Sequence, residues 1–255
     1  MSTADRFTDR VAFVTGGGSG IGRATALAFA AEGARVVVTD LGGEAAAQTA
    51  ALITDAGGAA LALACDVTDE DQVRSALAAT VDAFGRLDHA FNNAGVEQSR
   101  TDLADLSTEE WTRIVAVDLT GVYHCVKHQV PLLRAAGGGS IVTTSSGAGV
   151  IGIPGQAAYA AAKWGVIGLS RSVALEVAAE GIRVNVVAPG MIDTPMMNRV
   201  SGGTEEGYAQ VVAEEPVGRM GRPEEIASAV LWLSSDAGAF TVGHVLVVDG
   251  GQTVG

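Results

Sequence analysis

The sequence predicts an α/β fold in which a doubly wound parallel sheet of about seven strands carries helices on both faces. Seven short apolar runs recur along the chain, and helix-like segments separate them. Most of these runs are continuous rather than alternating, which is typical of strands that are buried on both faces. The alternation of strand and helix favours right-handed crossovers between parallel neighbours.

The predicted strands are rich in valine and alanine. They are VAFVT at 11–15, RVVVT at 35–39, ALALA at 60–64, LDHAF at 87–91, SIVTT at 140–144, RVNVVA at 183–188 and HVLVV at 244–248. Two of the intervening segments open with a capping signature, Thr68 with Asp71 before Phe84 and Ser107 with Glu110 before Pro131. An alanine-rich stretch over 156–180 is a further predicted helix.

Composition and charge limit the class of protein. No linker divides the 255 residues, so we expect one domain over 1–255. A net charge of −13 disfavours nucleic acid and anionic membranes as partners. No apolar stretch is long enough for a transmembrane helix. Two cysteines make no disulfide framework, and the polar N-terminus lacks a signal peptide, so we expect a cytoplasmic protein.

A glycine-rich turn, TGGGSGIG at 15–22, follows the first predicted strand and opens a helix. Glycines at such a turn let the backbone approach a pyrophosphate, and the helix N-terminus offers unpaired N–H groups. The spacing differs from the strict G-x-G-x-x-G fingerprint, so a glycine turn without a ligand is the alternative. The predicted cofactor contacts in this turn are Gly16, Ser19, Gly20, Ile21 and Gly22.

Two aspartates follow the next strands. Asp40 ends the second strand eighteen residues after Gly22, where an acid grips a ribose 2′-hydroxyl. A carboxylate there repels a 2′-phosphate, which favours NAD over NADP, although a helix-capping role is the alternative. Asp66, with Val67 beside it, follows the third strand and is expected near the adenine, with capping of the next helix equally open.

Six motifs stand in a fixed order: TGGGSGIG (15–22), NNAG (92–95), SS (145–146), YAAAK (159–163), PG (189–190) and VDGG (248–251). Each motif is weak alone, but the ordered set is specific. The chain resembles the short-chain dehydrogenase/reductase family over essentially its whole length. This resemblance implies a single-domain Rossmann-type sheet of seven parallel strands, a nicotinamide cofactor and, usually, a homotetramer.

The resemblance also implies roles for individual residues. Tyr159 corresponds to the catalytic acid/base, Lys163 to its partner and ribose ligand, and Ser146 to the residue that holds the substrate oxygen, while Ser145 is expected to be structural. The remaining residues that the resemblance places along the cofactor cleft are Asn93, Ala94, Gly95, Pro189, Gly190, Ile192 and Thr194.

The tyrosine–lysine pair suits alcohol oxidation, in which a base takes a proton while the cofactor takes hydride. A tyrosine pKa of about 10 must fall by two to three units, or about 3–4 kcal/mol. A lysine ammonium about 4 Å away supplies roughly 4 kcal/mol at an effective dielectric of ~20. The alternative is a buried tyrosine beside a lysine that extends towards solvent.

One position departs from the family pattern. The family has an asparagine seven residues after a position that Trp111 occupies here, and this chain has Asp118. At about 8 Å from Tyr159, its charge would oppose the tyrosinate by roughly 2 kcal/mol. Pairing with Lys163 would also dilute the effect of the lysine. We expect an alkaline-shifted optimum for alcohol oxidation; a neutral replacement and an impaired enzyme are the alternatives.

The segment 191–216 lies where the family places its substrate lid, with Gly202 and Gly203 as a hinge. The candidates for an apolar substrate wall are Met191, Met196, Met197, Tyr208 and Val211 in this segment, and Val150, Ile151 and Ile153 before Tyr159. They indicate a mainly apolar alcohol or ketone, with a cyclic compound as one candidate, and packing of a helix on its own apolar face is the alternative for each. Glu97 and Gln98 follow NNAG and are expected near the mouth of the pocket. His124 and His128 lack a third ligand, so no metal site is predicted, and His89 is predicted to be a core histidine.

The leading function is an NAD-dependent secondary-alcohol dehydrogenase or ketone reductase. A 3-oxoacyl-type reductase would favour NADPH and a basic docking surface, which Asp40 and the acidic charge disfavour. A cofactor-sensing binding protein without turnover is the third hypothesis, and Asp118 is what keeps it open.

Overall fold

The computed structural model describes residues 6–213 and 215–254, and its strands form one sheet. The strands are β1 Val11–Thr15, β2 Arg35–Asp40, β3 Ala59–Ala64, β4 His89–Asn92, β5 Gly139–Thr144, β6 Ile182–Pro189 and β7 Val245–Val248. They lie in the order β3-β2-β1-β4-β5-β6-β7, and every pairing is parallel. The predicted seven-stranded, doubly wound sheet is therefore confirmed.

Nine α-helices occur in the described ranges, and none is long and apolar enough to cross a membrane. They are α1 Gly20–Ala31, α2 Gly43–Asp55, α3 Glu70–Phe84, α4 Thr108–Val115, α5 Gly121–Ala135, α6 Ala157–Val177, α7 Pro195–Val200, α8 Glu205–Ala213 and α9 Pro223–Ser234. Neighbouring strand residues point to opposite faces of the sheet. Phe13 accordingly packs with side chains of α3, α5 and α6, whereas Val14 packs with those of α1, α2 and α9.

The predicted helix starts are partly right. Ser107 caps α4 and accepts a hydrogen bond from the Glu110 N–H at 3.1 Å. The predicted cap at Thr68 is wrong, because Asp69 caps α3. The Thr68 hydroxyl instead donates to Asp66 at 2.7 Å, so the chain turns once more before the helix begins.

The region between β4 and β5 also differs from the prediction. The strand begins at His89 rather than at Leu87, and the long helical segment continues past Pro131 to Ala135. Pro131 is exposed on the outer face of α5, where the loss of one backbone hydrogen bond is tolerated. Between α4 and α5 the chain makes a π-helical turn over Ala116–Thr120. Such turns are rare and frequently occur at functional sites.

The order of the strands determines where a ligand can bind. β1 pairs with β2 on one side and with β4 on the other, so the chain reverses direction across the sheet after β3. In open α/β sheets, ligands bind beyond the carboxyl ends of the strands at such a switch point. The loops that follow β1 and β4 therefore meet where a crevice is expected.

Candidate active site

A cavity of about 770 Å³ opens at the carboxyl ends of the strands, and it collects most of the predicted site residues. It is lined by Gly16, Ser19, Gly20, Ile21, Asp40, Asn93, Ala94, Gly95, Asp118, Ser146, Tyr159, Lys163, Pro189, Gly190, Ile192 and Thr194. Of the predicted residues, Gly22, Asp66 and Val67 do not line it.

The glycine turn has no room for side chains. Gly16 and Gly20 have φ of 60° and 49°, a conformation that favours glycine. A Cβ on Gly16 would lie 2.9 Å from the Ala94 Cα. A Cβ on Gly22 would lie 2.0 Å from the Gly16 carbonyl oxygen, so Gly22 lets the helix pack against the turn although it does not face the cavity.

Helix α1 presents an uncapped N-terminus to this cavity. The N-cap Ser19 makes no side-chain capping bond, and the first turn of α1 contains no acidic residue. Its free N–H groups and partial positive charge suit an anionic group. The open cradle and the donor set therefore fit the pyrophosphate of a dinucleotide cofactor.

Asp40, at the end of the adjacent strand β2, offers a second group that suits a dinucleotide. Its Oδ2 accepts a hydrogen bond from the Gly18 N–H at 2.9 Å, and its Oδ1 accepts one from the Gly42 N–H at 3.1 Å. These bonds fix a carboxylate at the end of β2 on the wall of the cavity. A carboxylate in this position can accept hydrogen bonds from ribose hydroxyls.

The other predicted cofactor residues fall into two groups. Asn93 donates through Nδ2 to the Gly16 carbonyl at 3.3 Å, which joins the loops after β1 and β4 at the switch point. Ile192 and Thr194 follow β6, where Thr194 caps α7. Asp66 and Val67 lie outside the cavity: Asp66 accepts hydrogen bonds from Thr68, and Val67 packs against α5.

Lys163 is a buried cation on the cavity wall, and it contacts both Asp118 and Tyr159. Its Nζ is 2.9 Å from Oδ1 of Asp118, and the two side chains are 3% and 0% exposed. Nζ also donates to the Thr144 carbonyl at 3.3 Å and lies 5.3 Å from the centre of the Tyr159 ring. The predicted pairing of Asp118 with Lys163 is therefore present.

The π-helical turn places Asp118 in this buried position. Both carboxylate oxygens accept the Val96 N–H at 3.3 Å. A Cβ on Gly95 would lie 2.6 Å from Asp118 Oδ1, so the glycine of NNAG is needed for this close approach. Gly95 thus lines the cavity wall and also leaves room for the side chains of Asp118 and Lys163.

The charges around Tyr159 oppose one another. Burial is the largest influence and raises the pKa of the Tyr159 hydroxyl; Lys163 and Ser146 lower this pKa, whereas Asp118 and Glu97 raise it further. The net shift in the chain alone is upward. Burial lowers the pKa of Lys163, but Asp118 and Tyr159 outweigh this effect and raise it overall. Lys163 therefore stays protonated beside a neutral tyrosine.

Ser145 and Ser146 have different environments. The buried Ser145 donates through Oγ to the Lys163 carbonyl at 3.0 Å and ties α6 to the end of β5. Ser146 Oγ lines the cavity, accepts the Ala148 N–H at 3.2 Å and lowers the pKa of Tyr159 through a hydrogen bond. Ser145 is therefore held in the packing between β5 and α6, whereas the substrate-holding role of Ser146 stays a prediction.

The segment 191–216 forms the outer wall through α7 and α8, although Glu214 lies outside the described residues. Of the apolar side chains that the sequence places near the substrate, those that line the cavity are Ile153, Met191, Met196, Met197 and Val211. Val150, Ile151 and Tyr208 do not line it. Gly202 and Gly203, between the two helices, have φ of 68° and 66°.

Contacts between distant segments were not predictable from motifs. Glu97 and Arg199, 102 positions apart, form an ion pair across the cavity at 2.5 Å. Gln98 contacts the first turn of α6. Glu215 accepts the Met191 N–H at 3.1 Å and so ties together the ends of the 191–216 segment. Only the position of Glu97 and Gln98 directly after NNAG indicated that they lie near the cavity.

The histidines have partners other than a metal ion. His128 pairs with Glu70 at 2.8 Å, and His124 bonds to the Val67 carbonyl at 3.0 Å. His89 is a buried core residue that bonds to Ser140 at 2.9 Å, as predicted. Within residues 6–213 and 215–254, no group of histidine, cysteine, aspartate and glutamate side chains could hold a metal ion.

The amino-acid sequence matches known proteins over nearly its whole length. A family model described as enoyl-(acyl carrier protein) reductase matches residues 16–253. Cis-4-hydroxycyclohexanecarboxylate dehydrogenase of Sinomonas cyclohexanicum is 46% identical over 98% of each chain. Cyclohexanol dehydrogenase of Acinetobacter sp. (strain SE19) is 42% identical over 98% of this chain and 97% of its own.

The fold also matches that of a solved structure over nearly the whole chain. The crystal structure of levodione reductase superposes with a TM-score of 0.93 at 38% identity, over 97% of this chain and 99% of its own. Identities of this size across nearly complete chains, together with the ordered motifs and the shared sheet, establish descent rather than a shared architecture alone. The chain belongs to the short-chain dehydrogenase/reductase family of oxidoreductases.

Proposed function

We propose that the protein is an NAD-dependent dehydrogenase of cyclic secondary alcohols, which also reduces the corresponding ketones. The observation that carries this proposal is the buried Lys163 Nζ, 5.3 Å from the Tyr159 ring centre, in the same cavity as the glycine turn. The proposed cofactor site and the proposed proton-transfer site therefore share one cavity. Residues 1–255 act as one domain, with 191–216 as its substrate lid.

The roles of the residues follow from their chemistry. Ser146 orients the alcohol oxygen, and Tyr159 in its ionised form takes the hydroxyl proton. A bound nicotinamide supplies the acceptor for the hydride that leaves the same carbon. Lys163 stabilises the tyrosinate by its charge and is held in place by Asp118 and the Thr144 carbonyl. In ketone reduction, neutral Tyr159 donates the proton instead.

Asp118 makes this site depend on pH. Because burial and Asp118 raise the pKa of Tyr159, the ionised base is scarce at neutral pH in the chain alone. Tyr159 therefore depends on alkaline pH, or on the positive charge of an oxidised nicotinamide, to lose its proton. Alcohol oxidation should rise towards alkaline pH, and ketone reduction should be favoured at lower pH.

The preference for NAD rests on Asp40. Its carboxylate is fixed by two main-chain N–H groups on the cavity wall, where it accepts ribose hydroxyls and repels a 2′-phosphate. Asp40→Ala should lower the ratio of kcat/KM for NAD to that for NADP by at least about tenfold. An unchanged ratio would argue against this role of Asp40.

The substrate class rests on the outer wall and the relatives. Methionine and isoleucine side chains supply an adaptable apolar surface in the same cavity as Tyr159. Two relatives at 42–46% identity are named for activity on cyclohexane rings with a hydroxyl group. A carrier-protein substrate is less well supported, because the net charge of −13 disfavours docking of an acidic carrier.

The test is the absorbance of the reduced nicotinamide when the protein is mixed with cyclic secondary alcohols and either NAD or NADP. We expect a rise with NAD that is largest at alkaline pH. Tyr159→Phe should abolish this rise while leaving cofactor binding intact, because it removes only the hydroxyl. Cofactor binding without turnover across the panel would favour the cofactor-sensing alternative.

We also propose a homotetramer in the cytoplasm. Tyr123 on α5 and Trp164 on α6 are 44% and 51% exposed, and Phe240 and the β7 residue Val247 are exposed as well. Such surfaces are typical of subunit contacts. Both cysteines are free, which suits a reducing compartment. Light scattering should give a mass about four times 25.7 kDa; a monomer mass would contradict the proposal.

A further inference from the structure

Gln98 connects the loop after β4 to the start of α6, the helix that carries Tyr159. The side chain is 3% exposed. Its Oε1 accepts the main-chain N–H of Tyr159 at 2.9 Å, and its Nε2 donates to the Gly155 carbonyl at 3.1 Å. One buried amide therefore holds both the first turn of the helix and the turn that leads into it.

Helix α6 needs this contact because its own sequence supplies no cap. The first four N–H groups of a helix lack partners within the helix. Gln156, at the N-cap, makes no side-chain capping bond. The Tyr159 N–H, third in α6, is instead satisfied by Gln98 from 61 positions earlier in the chain. The residue that is anchored is thus the proposed acid/base itself.

The turn before α6 is joined to the same loop by a further bond. Gly155 has φ of +77°, and its carbonyl also accepts the Thr101 N–H at 2.9 Å. A Cβ on Gly155 would lie 3.2 Å from that nitrogen, so the two segments are in close contact. Three hydrogen bonds hence fix the loop 98–101 against 155–159, and two of them come from Gln98.

We propose that Gln98 is a positioning residue for Tyr159, an inference that rests on the proposed function. It fixes the start of α6, so that the Tyr159 hydroxyl lies beside Ser146 and its ring lies against the Lys163 ammonium. Displacement of a reacting group by about 1 Å can cost about a hundredfold in rate. Loss of the Gln98 amide should therefore slow the proton transfer.

The test compares Gln98→Met with Ser170→Ala in steady-state oxidation of a cyclic alcohol. Methionine keeps the length of the side chain and removes both hydrogen bonds. Ser170 lies on the same helix, is fully buried and bonds to Thr143 at 2.8 Å, so its loss removes a buried hydrogen bond away from Tyr159. Thermal unfolding and the Kd for reduced nicotinamide are measured for both variants.

We expect Gln98→Met to lower kcat by at least about tenfold, with the cofactor Kd within about threefold of wild type. Ser170→Ala should keep kcat within about twofold at a similar loss of thermal stability. A kcat for Gln98→Met within twofold of wild type would overturn the proposal, and so would an equal loss of kcat in both variants.

A second variant guards against misfolding. Gln98→Asn keeps the polar amide but is one methylene too short to reach both partners, and it should lower kcat in the same direction by a smaller factor. A wild-type kcat in a folded Gln98→Asn would overturn the positioning role alone. Absence of turnover by the wild-type protein would instead overturn the proposed function, and the positioning role with it.

Discussion

Two ion pairs line the same cavity, and they differ in how far solvent reaches them. Lys163 and Asp118 are 2.9 Å apart, with side chains that are 3% and 0% exposed. Arg199 and Glu97 are 2.5 Å apart, with side chains that are 60% and 26% exposed. The geometry is similar, but the energetic consequences are not. A buried pair fixes the charge at the proposed catalytic centre, whereas an exposed pair can break and re-form at little cost.

The difference follows from desolvation. Burying two charges is expensive, and their attraction offsets this only with further hydrogen bonds. The buried pair has these bonds, since the Val96 N–H donates to Asp118 and the Thr144 carbonyl accepts from Lys163. Each partner of the buried pair therefore depends on the other, and removal of either one leaves a buried charge.

The largest expected effect is the loss of stability when the buried pair loses its cation, compared with the same change in the exposed pair. Lys163→Met should lower the free energy of unfolding by about 3–5 kcal/mol, because Asp118 is left buried without its cation. Arg199→Met should lower it by less than about 1 kcal/mol. Urea unfolding measures both values. Equal losses would contradict the contrast between the two pairs.

The penalty in Lys163→Met should also depend on pH. Burial already raises the pKa of Asp118 in the wild-type chain, against the lowering effect of Lys163. Without the lysine, the folded-state pKa of Asp118 lies still further above its unfolded value. Stability from such a group is present at low pH and is lost as pH rises. Urea unfolding should therefore show a smaller loss at about pH 5 than at about pH 8; equal losses would be inconsistent with a buried, unpaired carboxyl.

A smaller effect, on the pH dependence of catalysis, is expected when Asp118 loses its charge but keeps an oxygen that can accept hydrogen bonds. Asp118→Asn keeps an oxygen for the Val96 N–H and removes the charge that raises the pKa of Tyr159. The pH–rate profile for alcohol oxidation should move to lower pH by about one unit. Measurement of kcat/KM across the alkaline range tests this, and an unchanged profile would mean that the site tolerates Asp118 without consequence.

The sequence predicted most of the fold and the buried side of the site. Continuous apolar runs identified all seven strands, with the largest error at β4, because LDHAF begins two residues before the pairing does. Tyr159 and Lys163 could be placed because their spacing on one helix is local. Asp118 could be recognised as a departure only because its neighbours match a family pattern.

Contacts between distant segments were beyond the reach of local patterns. The bond from Gln98 to Tyr159 spans 61 positions, and the pair of Glu97 with Arg199 spans 102. Neither pair has a characteristic spacing, since each depends on the packing of separate loops. The upward net shift in the pKa of Tyr159 was missed for a similar reason, because burial of the ring cannot be read from the lysine spacing alone.

The smallest expected effect concerns the exposed pair, which joins α7 of the proposed lid to the loop after β4. Glu97→Gln should favour the open lid, because it removes the charge that holds Arg199. An exposed pair contributes up to about 1 kcal/mol, so KM for a cyclic alcohol should rise by up to about fivefold at saturating cofactor. Since lid opening is not the bond-breaking step, kcat should not fall.

A matched control separates this effect from a general loss of surface charge. Glu180→Gln breaks a comparably exposed pair with Arg134, and neither residue lines the cavity. Its KM should stay at the wild-type value. Raising the salt from about 0.05 M to about 0.5 M should increase the wild-type KM towards that of Glu97→Gln and leave the variant unchanged, because salt screens exposed charges. The exposed pair does not hold the lid closed if KM rises equally in Glu97→Gln and Glu180→Gln, or if salt affects wild type and Glu97→Gln alike. In that case the two ion pairs differ only in how much each contributes to stability.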